Sequence, residues 1–142
     1  MRTYNWLVVS ILVVFLFTAG ASAQVKSLPV DVPGTNVHFF LMRYTEDAPP
    51  YMQVDLVWDR LNQVFLNWVD QGQDPQALTP EMVTTGLSEN NTAAVFLQGT
   101  LIVEVDEFHS TYNRATPAQL AEMWAANLRK GVESFVSINV LH

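Results

Sequence analysis

The sequence predicts an α+β domain with a mostly antiparallel sheet of about four strands. Two amphipathic helices cover one face of this sheet, and the element order is β-α-β-β-β-α. Two runs of apolar residues at helical spacing, over residues 52–70 and from Pro117 onward, predict the helices. An alternating segment between them, residues 93–105, predicts strands. The chain has 142 residues and no cysteine, so packing rather than disulfides must hold it together.

The first 23 residues have the layout of a secretory signal peptide. Arg2 precedes an uncharged, mostly apolar run of 11 residues, Leu7 to Phe17, and small residues follow up to Ala23. A membrane-spanning helix needs about 20 apolar residues, so cleavage after Ala23 is expected and an uncleaved anchor is the alternative. The protein is therefore expected to be exported, with membrane contact only through residues 1–23 if they are retained.

The first half of the remaining chain predicts one strand and one helix. Residues 24–35 contain two prolines and a glycine without periodicity, which predicts an extended lead-in to a single domain over residues 36–142. Residues 36–43 (NVHFFLMR) carry apolar side chains on both faces, as a central strand does. In residues 52–70 the apolar positions follow helical spacing from Val54 to Trp68.

The second half predicts three strands and the second helix. Residues 82–87 form a weak strand, and Gln98-Gly99 separates two apolar runs as a hairpin turn does, because glycine allows a positive φ. Thr116-Pro117-Ala118-Gln119 predicts a helix start, with Thr as N-cap, Pro in the first turn and Gln completing a capping box. Residues 135–141 alternate loosely, which is compatible with a last edge strand.

Charge and motif content exclude several functions. The net charge of −7 disfavours contact with a phosphate backbone, so no nucleic-acid partner is expected. The lack of cysteine excludes a thiol nucleophile, thiolate-bound zinc and iron–sulfur clusters. The chain has no G-x-S-x-G, HExxH, EF-hand or Gly-rich phosphate motif, so neither an enzymatic activity nor a cofactor is predicted. A small hydrolase remains open, because the absence of a motif is weak evidence.

Two segments of the last third resemble a known family. They are residues 99–105 (GTLIVEV) and 118–129 (AQLAEMWAANLR), joined across a polar loop at residues 106–113. They resemble a small exported α/β domain from cyanobacteria whose function is unknown. That domain also occurs ahead of the membrane region in some proteins similar to small-conductance mechanosensitive channels. The resemblance implies the periplasm or the thylakoid lumen as the compartment, and it implies no catalytic residues.

The densest polar cluster is the candidate metal or ligand site. It consists of Glu104, Asp106, Glu107 and His109. Carboxylates suit Ca²⁺ or Mg²⁺, and a nearby imidazole favours a transition metal. The alternative is a solvated strand end followed by a loop.

The helix aromatics are expected to build the core, and one region of the first helix is a candidate partner surface. If the sheet covers only one stripe of that helix, Leu66, Trp68 and Val69 stay exposed and would contact a protein partner. His38 is expected to be half-buried and hydrogen-bonded on its strand. The predicted function is a non-enzymatic exported domain that binds a protein partner at or near a membrane complex. The alternative is a module that binds a small ligand or a divalent metal through residues 104–109.

Overall fold

The computed structural model describes residues 24–141, so the predicted signal peptide at residues 1–23 lies outside the described residues. The described chain contains five strands, three α-helices and a short 3-10 turn over Pro80–Met82. The strands are β1 (Lys26–Asp31), β2 (His38–Tyr44), β3 (Val83–Leu87), β4 (Ala93–Leu97) and β5 (Thr100–Glu104). The helices are α1 (Tyr51–Asp70), α2 (Glu107–Tyr112) and α3 (Pro117–Asn139). None of these helices has both the length and the apolar character that crossing a bilayer requires.

The α+β class is confirmed, but the strands form two antiparallel sheets rather than one. β1 and β2 make a two-stranded hairpin with Lys26 opposite Tyr44, and β3, β4 and β5 make a three-stranded meander. The predicted count of about four strands and the order β-α-β-β-β-α therefore differ from the observed order β-β-α-β-β-β-α-α.

The additional strand lies in the segment predicted to be a lead-in. Residues 24–35 are extended, yet residues 26–31 of this segment pair with β2 and belong to the fold. Pro29 is compatible with a strand here because β1 pairs with β2 alone, and an edge strand tolerates a residue without an N–H group. Val30 and Val32 are fully buried, so this segment contributes to the core.

Residues 135–141, whose loose alternation left a last edge strand open, do not form one, because α3 continues through Asn139. Phe135 lies one helical turn beyond Val132 and packs against the same core. Its ring stacks on that of Phe65 of α1, with 4.1 Å between the ring centroids. The packing of Phe135 on Phe65 stabilises the helical conformation of this segment. The loose alternation in its sequence favours a strand only weakly.

The predicted local signals at helix starts and turns are confirmed. Thr116 Oγ1 accepts the Gln119 N–H at 3.1 Å and Gln119 Oε1 accepts the Thr116 N–H at 3.0 Å, which completes the capping box of α3. In the β4–β5 turn both Gln98 and Gly99 have positive φ, 51° and 75°. This is the pattern of a tight hairpin turn whose twist matches that of the strands.

The helix α1 buries one stripe of side chains in the core. Its buried residues are Val54, Val57, Leu61, Val64, Phe65 and Trp68. Trp58, predicted to lie in this stripe, is 40% exposed, and its indole Nε1 donates to the Asp31 carbonyl at 3.0 Å. Trp58 lies at the margin of the stripe, where the ring packs while its N–H finds a main-chain acceptor.

The helix α3 joins the two sheets. It contacts β2 of the hairpin and β3 and β4 of the meander. Asn127 Nδ2 donates to the Phe39 carbonyl at 3.1 Å, and an Arg129 guanidinium N–H donates to the Val83 carbonyl at 3.1 Å. Side chains of α3 therefore satisfy strand carbonyls in both sheets.

Candidate functional site

A pocket of about 410 Å³ opens between the hairpin, the start of α1, the end of β5 and α2. This volume lies within the range of about 300–1,000 Å³ that small-molecule sites occupy. The pocket forms where the two sheets meet, because within residues 24–141 no strand pairing closes the space between β2 and β5. Side chains rather than main-chain ladders therefore line it.

The floor of the pocket is apolar. It consists of Phe40 and Met42 from β2, Val57 from α1, Val103 from β5 and Trp124 from α3. All five are buried. The rings of Phe40 and Trp124 stack with centroids 4.4 Å apart and planes 24° from parallel. The floor therefore contains a stacked aromatic pair whose two side chains are almost fully buried.

A β-bulge shapes the wall that β5 provides. The register runs from Phe96 opposite Leu101 to Val95 opposite Val103, so that Ile102 has no partner across the strands. The Ile102 carbonyl accepts an N–H from Arg60 of α1 at 3.2 Å. The bulge thus holds an arginine at the pocket wall.

His109 lies at the inner wall with both ring nitrogens engaged. It is only 4% exposed, and its ring meets that of Trp124 edge-on at 5.6 Å. The Arg43 backbone N–H donates to Nε2 at 2.9 Å, so Nε2 carries no proton. The proton therefore sits on Nδ1, which donates to Asp106 Oδ1 at 2.6 Å. This pattern assigns a neutral imidazole in the Nδ1–H tautomer.

Asp106 holds this arrangement from the N-cap of α2. Its carboxylate also accepts the His109 backbone N–H at 2.7 Å, which caps the helix. Partial burial acts to raise the pKa of Asp106, but the hydrogen bonds from the His109 ring and backbone outweigh it. The pKa of Asp106 is therefore lowered, and the group is an ionised acceptor at neutral pH.

The Asp106–His109 pair is not arranged for proton transfer to a ligand. A general base must direct a free lone pair at the proton that it removes. The one lone pair available on the His109 ring accepts the Arg43 amide, and the ring proton faces Asp106. The pair instead ties α2 to β2 across the inner wall of the pocket.

Arg43 and Arg60 are the two cationic side chains that line the pocket, and neither stood out in the sequence. The Arg43 guanidinium carbon lies 4.7 Å from the centre of the Tyr112 ring, a cation–π contact. Its Nε is buried and has no hydrogen-bond partner among the described residues. An unpaired buried donor is costly, and an acceptor on a bound molecule would relieve that cost. Arg43 ends an apolar strand segment, a pattern that equally suits a surface arginine.

The four predicted metal ligands do not form a ligand set. Glu104, Asp106 and His109 all line the pocket, whereas Glu107 lines a separate shallow depression on α2. Glu104 accepts from Asn90 Nδ2 at 3.2 Å. Among the residues described, no group of three or more histidine, aspartate or glutamate side chains is positioned to hold a metal ion.

The predicted partner surface on α1 is divided between surface and core. Leu66 is 61% exposed, Val69 is half-buried against the core, and Trp68 is only 2% exposed. Naming Trp68 as an exposed contact is therefore wrong. Its Nε1 donates to the Asp74 carbonyl at 2.6 Å, so the indole is satisfied inside the fold. Neighbouring helical residues point about 100° apart, so these three cannot share one face.

The expectation of a half-buried His38 is also wrong. Its side chain is exposed at the start of β2, where its Nδ1 pairs with Asp31 Oδ1 across the hairpin. The register passes from Val30 opposite Phe40 to Asp31 opposite His38, so Phe39 is the extra residue of a bulge. Phe39 and Phe40 are both buried, and His38 is exposed. His38 takes no part in the pocket.

Comparison of the chain with protein-family models, with curated proteins and with solved structures gives no significant match. The resemblance to the exported cyanobacterial domain therefore stays a prediction. The pocket and its lining residues are the basis for the functional proposal.

Proposed function

We propose that this domain is a non-enzymatic, exported binding module that takes a small organic molecule into the pocket between its two sheets. The single observation that supports the proposal best is the pocket itself, which combines an apolar aromatic floor with two arginines. Small-molecule sites commonly combine these features, apolar lining for affinity and a few polar groups for orientation. The site overlaps residues 104–109, the region of the small-ligand alternative.

The absence of catalysis in this proposal is supported by the bonding of His109. Its two ring nitrogens bond to the Arg43 amide and to Asp106, so the imidazole has a structural role in the pocket wall. Metal dependence is not proposed, because three of the four predicted ligands line the pocket without forming a ligand set. Export remains part of the proposal on the strength of residues 1–23 alone.

A pocket-filling variant tests the proposal. Val103→Phe places a phenyl group in the pocket, and Leu101→Phe makes a similar change on the same strand at a position that does not line it. A fragment library is screened against the ¹⁵N-labelled full chain by NMR. We expect hits that shift signals of Phe40, Trp124 and Arg43, lose binding in Val103→Phe and keep it in Leu101→Phe.

Two results would overturn the small-molecule proposal. One is a screen without a hit at the pocket. The other is a set of hits that binds Val103→Phe as well as it binds the unmodified chain. The spectrum of Val103→Phe reports whether the variant is folded, so loss of binding is distinguished from loss of structure.

We propose a protein partner at or near a membrane complex as the second candidate function. The observation that favours it is the exposed start of α1, where Tyr51, Met52 and Leu56 are large exposed apolar residues and Leu56 also lines the pocket. Large apolar side chains grouped on a surface are typical of protein interfaces. A partner there would also cover the opening of the pocket.

Paired methionine variants test the second candidate. Met52 is 86% exposed on α1 and Met123 is 58% exposed on α3, so Met52→Glu and Met123→Glu add the same charge to different surfaces. The full chain is purified from membranes in mild detergent and the complex is weighed by native mass spectrometry. A stoichiometric partner that is lost only in Met52→Glu supports this candidate, whereas a partner kept by both variants, or no partner, contradicts it.

A further inference from the structure

We infer that the ligand of the pocket is an organic anion, with a single acidic group bound at Arg43 and an apolar body lying on the Phe40–Trp124 floor. This inference rests on the proposed small-molecule function and adds the chemical class of the ligand. It is carried by Arg43, which lines the pocket and whose buried Nε has no hydrogen-bond partner among the described residues.

The unpaired donor is Nε of Arg43. In the described chain the Arg43 side chain packs over Tyr112 and its Nε is buried without a partner. Buried polar groups in folded proteins almost always have a partner, so an exception next to a pocket indicates where an acceptor belongs. A carboxylate suits this position because the guanidinium fork offers two parallel N–H donors to two oxygens.

Two arginines and two carboxylates line the pocket, and they differ in how much of their hydrogen-bonding capacity is already used. Arg60 also lines the pocket, and only its contact with the Ile102 carbonyl is recorded among the described residues. The two carboxylates that line the pocket are engaged: Asp106 accepts from His109 and Glu104 accepts from Asn90. The arginines therefore keep N–H donors that can bind a ligand, whereas each carboxylate already accepts a hydrogen bond from the protein.

The floor of the pocket specifies the rest of the ligand. Phe40 and Trp124 stack to form an aromatic surface, and Val57 and Val103 close its sides. A flat or flexible hydrocarbon group would bury this surface, which is favourable in proportion to the apolar area covered. The pocket volume of about 410 Å³ accommodates one aromatic ring with a short chain.

Three probes with the same body and different charges test the inference. They are 4-phenylbutyrate, 4-phenylbutanamide and 4-phenylbutylamine, titrated into the ¹⁵N-labelled full chain while the signals of the pocket residues are followed. We expect the carboxylate to bind at least about tenfold more tightly than the amide, since a charged group adds substantially to a hydrogen bond. The amine is expected to bind most weakly, because an ammonium group cannot accept the N–H donors of Arg43 and Arg60.

Charge-removing variants locate the effect. Arg43→Gln should abolish the preference for the carboxylate over the amide, and Arg60→Gln should reduce it. Lys130→Gln removes the same charge from an exposed position of α3 outside the pocket and should leave the preference unchanged. Because the probe series on the unmodified chain needs no variant, the inference stays testable even where a substitution impairs folding.

The possible results separate the inference from the proposed function. If all three probes shift the pocket signals with equal affinity, or if the amine binds most tightly, the ligand is not an anion and only the inference fails. If no probe shifts the pocket signals, the inference and the small-molecule proposal both fail. A preference for the carboxylate that survives Arg43→Gln places the acidic group elsewhere and overturns the role of Arg43.

Discussion

Gly131 of α3 lies against Val32 so closely that no side chain fits between them. A β-carbon built on Gly131 would stand 2.3 Å from Val32 Cγ2 and 2.8 Å from Val32 Cβ. Val32 is fully buried just after β1, and Gly131 is buried inside the helix. The glycine thus lets α3 cross the β1–β2 hairpin at contact distance, although it lowers the intrinsic helix propensity there.

Gly131→Ala should lower the free energy of unfolding by about 1–2 kcal/mol. Overpacking a tight site costs about 1–3 kcal/mol, and at these distances it exceeds the roughly 1 kcal/mol that alanine gains over glycine within a helix. Urea denaturation followed by circular dichroism measures the loss.

Two further variants identify the cause of that loss. Gly86→Ala in β3 meets only ordinary contact, with Phe96 Cε2 at 3.8 Å, and should change stability by less than about 0.5 kcal/mol. Val32→Ala makes room beside Gly131, so the double variant should be more stable than the sum of the two single effects predicts. If the effects of Gly131→Ala and Val32→Ala on stability are strictly additive, the close contact with Val32 is not the reason for a glycine at position 131.

Truncation of the two large apolar residues in the predicted partner region of α1 should change stability by very different amounts. Trp68→Ala removes a buried ring and its hydrogen bond to the Asp74 carbonyl, so we expect a loss of about 3–5 kcal/mol. Leu66→Ala changes an exposed side chain and should stay within about 0.5 kcal/mol. Thermal and urea unfolding of both variants check this, and comparable losses would contradict the burial of Trp68.

Asp106 should make stability depend on pH in the acidic range. Because the folded state lowers its pKa below the ordinary 3.8, the ionised carboxylate stabilises the fold above that value. The contribution is lost as the pH falls through the lowered value. Asp106→Asn keeps a side-chain oxygen for the helix cap and for His109 but cannot ionise. The stability difference between the unmodified chain and Asp106→Asn should therefore shrink on acidification, and a constant difference would contradict the assignment.

Removing the cap of α3 should cost about 1 kcal/mol. Thr116→Ala deletes the oxygen that accepts the Gln119 N–H, whereas Thr116→Ser retains it. Urea unfolding should rank the unmodified chain and Thr116→Ser together, above Thr116→Ala. Because Thr116 is exposed, no core packing contributes to this comparison. Equal stability of the serine and alanine variants would show that the hydroxyl does not stabilise the helix start.

The elements that the sequence predicts correctly are those whose signals are local. The capping box at Thr116 and the Gln98-Gly99 turn each lie within a few residues, and their geometry follows from their own chemistry. β1 was missed because its only evidence is pairing with β2, and Pro29 argues against a strand until its edge position is known. α2 was missed because its six residues span too few turns for periodicity, although Asp106 is a good N-cap.

The candidate site was only half predictable for the same reason. Residues 104–109 are a conspicuous polar cluster, and three of its four predicted residues do line the pocket. Their roles depend on partners far along the chain: the Arg43 amide that His109 accepts lies 66 residues away. No local pattern could show that His109 is buried, that Glu107 points elsewhere or that Arg43 Nε has no partner.

The division into two sheets also determines how this domain can move. Within the part of the chain that the structure describes, β2 and β5 share no ladder of main-chain hydrogen bonds, although both sheets contribute side chains to one core. Side-chain hydrogen bonds of Asn127, Arg129 and His109 connect the helices to the two sheets. A few such bonds break more easily than a ladder of main-chain hydrogen bonds. Amide exchange should therefore be faster at Arg43, whose N–H bonds to a side chain of α2, than inside the meander. The boundary between the two sheets also forms a wall of the pocket. Local opening of the fold at this boundary would therefore widen the entrance for a ligand.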